Sequence, residues 1–154
     1  MDRDHFYVTL FSNASQDIYP DNKIAAFTTQ LAQPIRLNPS EIWEVGLCEL
    51  SYSASHGLQK NGPLLNNLNV FLNALIYCDL IAPQLIGTTK LRCLRSYLFQ
   101  NVYYVPLEKK TFRDIRIEIL NQSGELIPFN DSAIPLKVVL HFRRVITPWY
   151  IYTT

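Results

Sequence analysis

The stretch Asp114-Ile115-Arg116-Ile117-Glu118-Ile119 decides the fold class of this chain. Charged and apolar residues alternate along it without exception. Successive side chains of a β-strand point to opposite faces, so this period of two predicts a strand with one face in the core and the other in water. A helix with one apolar face would instead repeat apolar residues every three or four positions. The stretch therefore predicts a half-buried β-strand.

The same alternation occurs in other parts of the chain. Every second residue is apolar in three further runs, which contain Phe6, Val8 and Leu10, then Trp43, Val45 and Leu47, then Leu136, Val138, Leu140 and Phe142. Four more runs, at 23–37, 68–81, 91–99 and 102–107, are rich in the β-branched and aromatic residues that favour strands. Together the runs predict about eight strands.

Turn-forming residues separate these runs, for example at Asn38-Pro39-Ser40 and Asn61-Gly62-Pro63. Nine prolines in 154 residues also disfavour long helices. Short strands at such spacing indicate an antiparallel sandwich or barrel, and the alternation of long and short connections fits a jelly roll best. We therefore expect one all-β domain over residues 1–154, a single eight-stranded antiparallel jelly-roll sandwich with a short aromatic C-terminal tail at about 147–154.

The composition restricts the class of protein further. The chain has 154 residues and a mass of 17.8 kDa, which suits a single domain with its own core. With 48% hydrophobic residues, it is not an intrinsically disordered chain. The net charge of +1 produces no global field that would recruit nucleic acid or anionic lipid. We expect a compact protein without specific nucleic-acid binding.

Neither the cysteines nor the apolar segments suggest an extracellular or membrane protein. The three cysteines, Cys48, Cys78 and Cys93, have no paired spacing, so we expect buried, reduced thiols and a reducing compartment. The most apolar segment, 70–86, contains Asn73, Asp79 and Pro83 and cannot span a bilayer. Because the charged N-terminus is followed by no apolar signal region, we expect a soluble, intracellular protein without membrane insertion.

Sequence motifs for catalysis are missing. The histidines His5, His56 and His141 lack metal-ligand spacing, and no nucleophile elbow or phosphate-binding glycine loop occurs. We therefore predict no catalytic residue, no cofactor and no metal. Two alternatives stay open. One is a β-sandwich or barrel that binds a small apolar ligand in a pocket lined by residues such as Phe71, Tyr77 and Phe99. The other is a cupin-like enzyme, which would need two histidines and a carboxylate converging on a metal ion.

Basic residues are concentrated between positions 90 and 116. This segment has seven basic residues and only two acidic ones, Glu108 and Asp114. The basic residues are Lys90, Arg92, Arg95, Lys109, Lys110, Arg113 and Arg116. They could face phosphates in a nucleic-acid assembly, but a solvated sheet face with cross-strand ion pairs is the favoured interpretation.

The C-terminal segment is the most suggestive local feature. Chain ends are usually polar, whereas this one carries Trp149, Tyr150, Ile151 and Tyr152. Such side chains either pack on their own domain or anchor a partner. With the basic pair Arg143 and Arg144, they are our candidate interface residues.

Several segments together resemble the penton (minor capsid) proteins of Polinton/Maverick elements and related adintoviruses. The resemblance follows the chain in order over nearly its whole length. It is carried by Phe6-Tyr7-Val8-Thr9-Leu10 with Ser12-Asn13-Ala14-Ser15, Phe27-Thr28-Thr29-Gln30-Leu31 with Pro34-Ile35, Trp43-Glu44-Val45-Gly46-Leu47-Cys48-Glu49-Leu50, Ile76-Tyr77-Cys78-Asp79 with Pro83-Gln84-Leu85-Ile86-Gly87, Tyr104-Val105-Pro106, and Ile127-Pro128-Phe129 through Leu140-His141-Phe142-Arg143.

The resemblance implies a structural function. It implies a virion protein, made in the host cytoplasm or nucleus, that forms a homopentamer at the fivefold vertices of an icosahedral shell and contacts a double jelly-roll major capsid protein. In a jelly roll, alternate loops gather at each end of the sandwich. We therefore expect the loops at 13–22, 53–67 and 121–134 and the turn at Gln100-Asn101 to share one end, which in family pentons surrounds the fivefold axis.

Overall fold

The computed structural model describes residues 4–51, 74–86, 88–95, 102–129 and 135–146. Every regular element in these ranges is a β-strand, so the prediction of an all-β protein is confirmed. The strands are β1 (His5–Phe11), β2 (Ala26–Arg36), β3 (Trp43–Ser51), β4 (Leu75–Cys78), β5 (Gln84–Ile86), β6 (Thr89–Leu91), β7 (Cys93–Arg95), β8 (Tyr104–Pro106), β9 (Thr111–Leu120) and β10 (Lys137–Arg144).

The strands form two four-stranded antiparallel sheets and one two-stranded hairpin. The first sheet has the order β1-β10-β3-β8, the second has the order β2-β9-β4-β7, and β5 pairs with β6. Most neighbours are distant in sequence. In the pairing of β1 with β10, for example, Val8 lies opposite Leu140. In the second sheet, β9 pairs with β2 on one side and with β4 on the other.

The inner faces of the two sheets form the core. Ile115, Ile117 and Ile119 of β9 are completely buried, as the alternation of that stretch predicts. Phe142 of β10 is also fully buried, and its ring stacks on that of Phe112 from the other sheet with centroids 5.8 Å apart. Burying a side chain of this size stabilises the fold by about 1.5–3 kcal/mol. Because of the strict alternation, the apolar side chains that contribute most to the stability of the fold lie between the two sheets.

One irregularity changes the alternation in β3. Opposite β10, Leu47 pairs with Leu140 while Glu49 pairs with Val139, so β3 has one residue more than its partner at this point. Such a bulge shifts the pattern of inward-facing residues by one. Leu50 is therefore buried, although a strict period of two counted from Leu47 would expose it.

The structure contains a strand in each of the eight runs that the sequence predicts. Two runs are described only in part: residues 68–73 of the run at 68–81 and residues 96–99 of the run at 91–99 lie outside the described residues. The structure adds the hairpin of β5 and β6, which the sequence analysis missed. There Ile86 pairs with Thr89, three positions further along the chain. Gly87 in the sequence was the available signal for a turn, but the nearby Pro83 favoured an irregular segment.

Two groups of connections lie at opposite ends of the sandwich. At one end, the loop after β1 contacts the segment before β10, since Ser12 N donates to Leu136 O at 3.0 Å. At the other end, Leu37 N donates to Lys110 O and Glu108 N donates to Leu80 O. β10 runs between these ends over about 25 Å, given a rise of about 3.3 Å per residue.

Candidate assembly surface

Two of the six candidate interface residues are described by the structure. Arg143 and Arg144 lie at the end of β10. The other four, Trp149, Tyr150, Ile151 and Tyr152, lie outside the described residues together with the rest of the predicted tail. The two arginines therefore mark the end of β10, where the chain leaves the first sheet. The interface role of all six residues stays a prediction.

Arg143 makes two contacts with neighbouring strands of the first sheet. Its Nε donates to Oε1 of Glu44, the residue opposite it on β3, at 2.5 Å. Its guanidinium carbon lies 3.4 Å from the centroid of the Tyr104 ring on β8. A guanidinium over an aromatic face is attracted by the ring quadrupole. Arg143 thus connects β10 to β3 and β8 within the chain.

Arg144 joins three segments at this end of the molecule. Its Nη2 donates to Oδ1 of Asp4 at 2.5 Å, and its Nη1 donates to Oε2 of Glu41 at 2.7 Å. The hydrogen bond from Arg144 lowers the pKa of Glu41, and the one to Glu41 raises the pKa of Arg144. The arginine therefore holds the residue before β1 and the loop before β3 against the end of β10.

Exposed apolar side chains lie near Arg143 and Arg144, which we call the arginine cluster. Ile42 and Ile146 are 59% and 64% exposed, and Val145 N donates to Ile42 O at 2.8 Å. The sequence analysis missed Ile42 and Val145, although both flank strands that it predicted. Ile42 and Val145 are thus exposed apolar neighbours, and Ile146 follows Val145 in the chain.

The basic residues between positions 90 and 116 mostly contact other residues of the same chain. Arg92 forms an ion pair with Glu108, and Arg116 Nε lies 3.3 Å from Oε2 of Glu118. Lys110 Nζ donates to the backbone oxygens of Pro39 and Glu41. Further contacts join Lys109 to Asp79 and Arg113 to the backbone oxygens of Leu31 and Ala32. These contacts favour the interpretation of an ion-paired sheet face over a phosphate-facing patch.

The opposite end of the sandwich contains parts of the predicted loop group. Segments 12–25 and 121–129 both lie there, and Ile119 N donates to Ala25 O at 2.7 Å. Between them is a cavity of about 370 Å³ lined by Lys23, Ile24, Ala25, Leu126, Ile127, Pro128 and Phe129. The predicted loop at 53–67 and the turn at Gln100-Asn101 lie outside the described residues. The arginine cluster is therefore at the end away from this loop group.

This cavity differs from the ligand pocket that the alternative function requires. That pocket would be lined by Phe71, Tyr77 and Phe99, of which only Tyr77, half-buried on β4, is described. Burial, followed by the nearby Asp79 carboxylate, raises the pKa of the Tyr77 hydroxyl. The cavity lies between loops at one end of the sandwich, not between the sheets.

Two histidines that are distant in sequence meet on the first sheet. Nδ1 of His5 lies 3.1 Å from Nε2 of His141, while His56 lies outside the described residues. In the part of the chain that the structure describes, no cluster of three or more His, Cys, Asp or Glu side chains could hold a metal ion. The cupin-like constellation of two histidines and a carboxylate is therefore not found among these residues.

The three cysteines are free thiols, as predicted. Burial raises the pKa of Cys78 to about 12 and that of Cys93 to about 11, so both are neutral at physiological pH. Cys48 is only half-buried, which corrects the expectation that all three lie in the core. Since the thiolate is the reactive form, Cys78 and Cys93 are packing residues.

Within the described ranges, no helix is long and apolar enough to cross a membrane. Comparisons of the chain with protein-family models, with curated proteins and with solved structures find no match.

Proposed function

We propose that the chain is a penton, or minor capsid, subunit with an eight-stranded single jelly-roll fold. Five copies form a ring at each fivefold vertex of an icosahedral shell, where they contact a double jelly-roll major capsid protein. The strand order of the two sheets carries this proposal.

A jelly roll is a sandwich of two four-stranded sheets built from two Greek keys. Its first strand lies beside its last, and its second lies beside the one before last. The orders β1-β10-β3-β8 and β2-β9-β4-β7 have this form when the hairpin of β5 and β6 is counted as an insertion between β4 and β7. This arrangement supports the jelly roll, the fold that the family resemblance implies for a penton.

The two flanks of the sandwich differ, as a closed ring requires. In a fivefold ring, one surface of each subunit contacts a different surface of the next. One flank has the long edge strands β1 and β2, of seven and eleven residues, and the other has β7 and β8, each with three residues in the part of the chain that the structure describes. Two unlike flanks suit a ring better than a twofold dimer, which pairs identical surfaces.

The edge strand β1 has the chemistry of a contact surface. Exposed edges of soluble proteins usually carry lysine, proline or a bulge that prevents pairing with another chain. From Phe6 to Phe11, β1 has no charged residue and no proline, and among the described strands it pairs only with β10. Tyr7 is 61% exposed and Phe11 39% exposed. We place one side of the subunit contact at this edge.

Sedimentation velocity of the purified chain tests the proposal. We expect a species with the mass of five 17.8 kDa chains, and five-lobed rings in negative-stain electron micrographs of the same sample. A stable dimer, or a monomer at all concentrations up to the highest soluble one, would contradict it.

A charge on the β1 edge tests where the subunits meet. Thr9→Lys places an ammonium group on an exposed position of β1 and is expected to convert the pentamer to monomer without changing the thermal midpoint of the monomer. The matched control is Thr89→Lys on the exposed strand β6, which should leave the pentamer intact. Equal dissociation by both variants would show that added charge, and not the edge, controls assembly.

A further inference from the structure

The outer face of the first sheet carries a pair of histidines in direct contact. β1 and β10 pair with Tyr7 opposite His141 and His5 opposite Arg143, so the two histidines are diagonal neighbours. Nδ1 of His5 and Nε2 of His141 are 3.1 Å apart, which is within hydrogen-bond distance. A single proton shared between them accounts for the contact as it stands.

Two tyrosines fix the orientation of the His141 ring. The hydroxyl of Tyr104 lies 2.7 Å from Nδ1 of His141, on the side away from His5. The ring of Tyr7 stacks on that of His141 with centroids 4.4 Å apart and planes inclined by 19°. When Nδ1–H of His141 donates to the Tyr104 oxygen, the lone pair of Nε2 points toward His5. Metal-binding histidines are commonly held in this way by a partner on the second ring nitrogen.

The distance between the nitrogens matches the spacing of two ligands on one metal ion. Imidazole nitrogens bind Zn²⁺ and similar ions at about 2.0–2.1 Å. Two such nitrogens are about 2.9 Å apart when the nitrogen–metal–nitrogen angle is 90°, and about 3.4 Å apart when it is tetrahedral. The observed 3.1 Å lies between these values. We propose that His5 and His141 chelate a divalent transition-metal ion of the kind that imidazole prefers, such as Cu²⁺, Ni²⁺ or Zn²⁺, in place of the shared proton.

The charges around the pair permit this binding. Arg143 is the nearest cation on β10, and its charge opposes that of a metal ion. The Glu44 carboxylate on β3 offsets it through the 2.5 Å contact described above, and Tyr7 and Tyr104 contribute uncharged rings.

Calorimetric titration of the full chain with NiCl₂ tests the proposal. Ni²⁺ is the probe because it binds imidazole and does not oxidise thiols. We expect one ion per chain for the wild type, and His5→Gln or His141→Gln should each weaken binding by about tenfold or more, since each removes one of two ligands. Both positions are on the outer face, and the thermal midpoint without metal serves as the check that each variant is folded.

Two control variants separate this site from other metal ligands in the chain. Cys48→Ser and His56→Gln should leave the affinity for Ni²⁺ unchanged. A rise in the thermal midpoint with Ni²⁺ but not with Mg²⁺ is expected for the wild type and for both controls, because the ion binds the folded state. The proposal is overturned if the wild type shows no binding at millimolar Ni²⁺, if the His5 and His141 variants bind as the wild type does, or if binding is lost in either control.

Discussion

The outer faces of the two sheets differ in chemistry although both belong to the same sandwich. The first sheet presents a ring face, defined by His5, Tyr7, Tyr104, His141 and Arg143, in which aromatic and imidazole rings contact one another. The second sheet presents an ion-pair face, defined by Thr28, Gln30, Asp114, Arg116 and Glu118, in which polar groups bond within β9 and from β9 to β2.

The difference indicates which surface suits contact with another molecule. On the ion-pair face, Arg116 pairs with Glu118, and Asp114 accepts hydrogen bonds from Gln30 and Tyr19. Covering these partly exposed polar groups would carry a desolvation cost. The ring face contains large side chains that lose little conformational freedom when covered and that can bind through π-systems or imidazole nitrogens. We therefore expect partners or ions at the ring face and its β1 edge.

The inner face is common to both sheets and controls folding, so a change there should have the largest effect. Phe142 contacts Phe6 and Phe112, with ring centroids 4.9 and 5.8 Å away. Phe142→Ala should lower the free energy of unfolding by about 3–5 kcal/mol, through lost burial and the cavity left behind. Urea denaturation followed by Trp fluorescence measures it. Val139→Ala, on the outer face of the same strand, is the control and should cost far less.

A glycine beneath the ring face should show the next largest effect. A Cβ at Gly46 would meet the side chain of Val102 and lie 3.2 Å from the backbone oxygen of Tyr103. Gly46→Val should therefore destabilise the chain by about 1–3 kcal/mol through overpacking, and Gly46→Ala by less. Thermal unfolding of both variants gives the order. Equal stability of Gly46→Val and wild type would show that β8 is not held against β3 here.

Acid should affect the ring face before the ion-pair face. The pKa of His141 is lowered from 6.5 in the folded chain, chiefly by burial, so the unfolded chain binds its proton more readily. The free energy of unfolding should therefore fall as the pH decreases below about 6.5 toward the lower folded value. Chemical denaturation between neutral and mildly acidic pH measures this slope. His141→Gln should reduce it, and an unchanged slope would contradict the assignment to His141.

The smallest effect is expected on the ion-pair face. Arg116 and Glu118 are about one third exposed, with Nε and Oε2 3.3 Å apart. Exposed pairs of this kind contribute about 0–1 kcal/mol, so Arg116→Gln should change the free energy of unfolding by less than about 1 kcal/mol. A double-mutant cycle with Glu118→Gln gives the coupling energy of the Arg116–Glu118 pair. A coupling energy well above about 1 kcal/mol would mean that the ion-pair face is as important to stability as the ring face.

The strands were predictable wherever one face is buried and the other is exposed to solvent. β9, β10 and β1 follow the period of two so closely that both their positions and their inward-facing residues could be predicted. The bulge at Cys48 was not predictable, because it depends on how the neighbouring residues of β3 pair with Val139 and Leu140 of β10. The hairpin of β5 and β6 was missed because three-residue strands contain too few residues to show a period.

The candidate site was predictable only in part. Two adjacent arginines followed by aromatic residues were visible in the sequence, but their partners were not. Asp4 and Glu41 lie 140 and 103 positions from Arg144. The histidine pair was missed for the same reason, since His5 and His141 are 136 positions apart and share no spacing motif.

The sequence by itself determined the class of element and the inward-facing side of each long strand, because alternation is a local property of the backbone. Only the tertiary structure decided which strands are neighbours and therefore which side chains meet across them. The reason is physical: a β-strand leaves its hydrogen-bonding groups to be satisfied by another segment, and the identity of that segment depends on the packing of the whole chain. The His5–His141 pair and the Arg144 ion pairs are products of that packing.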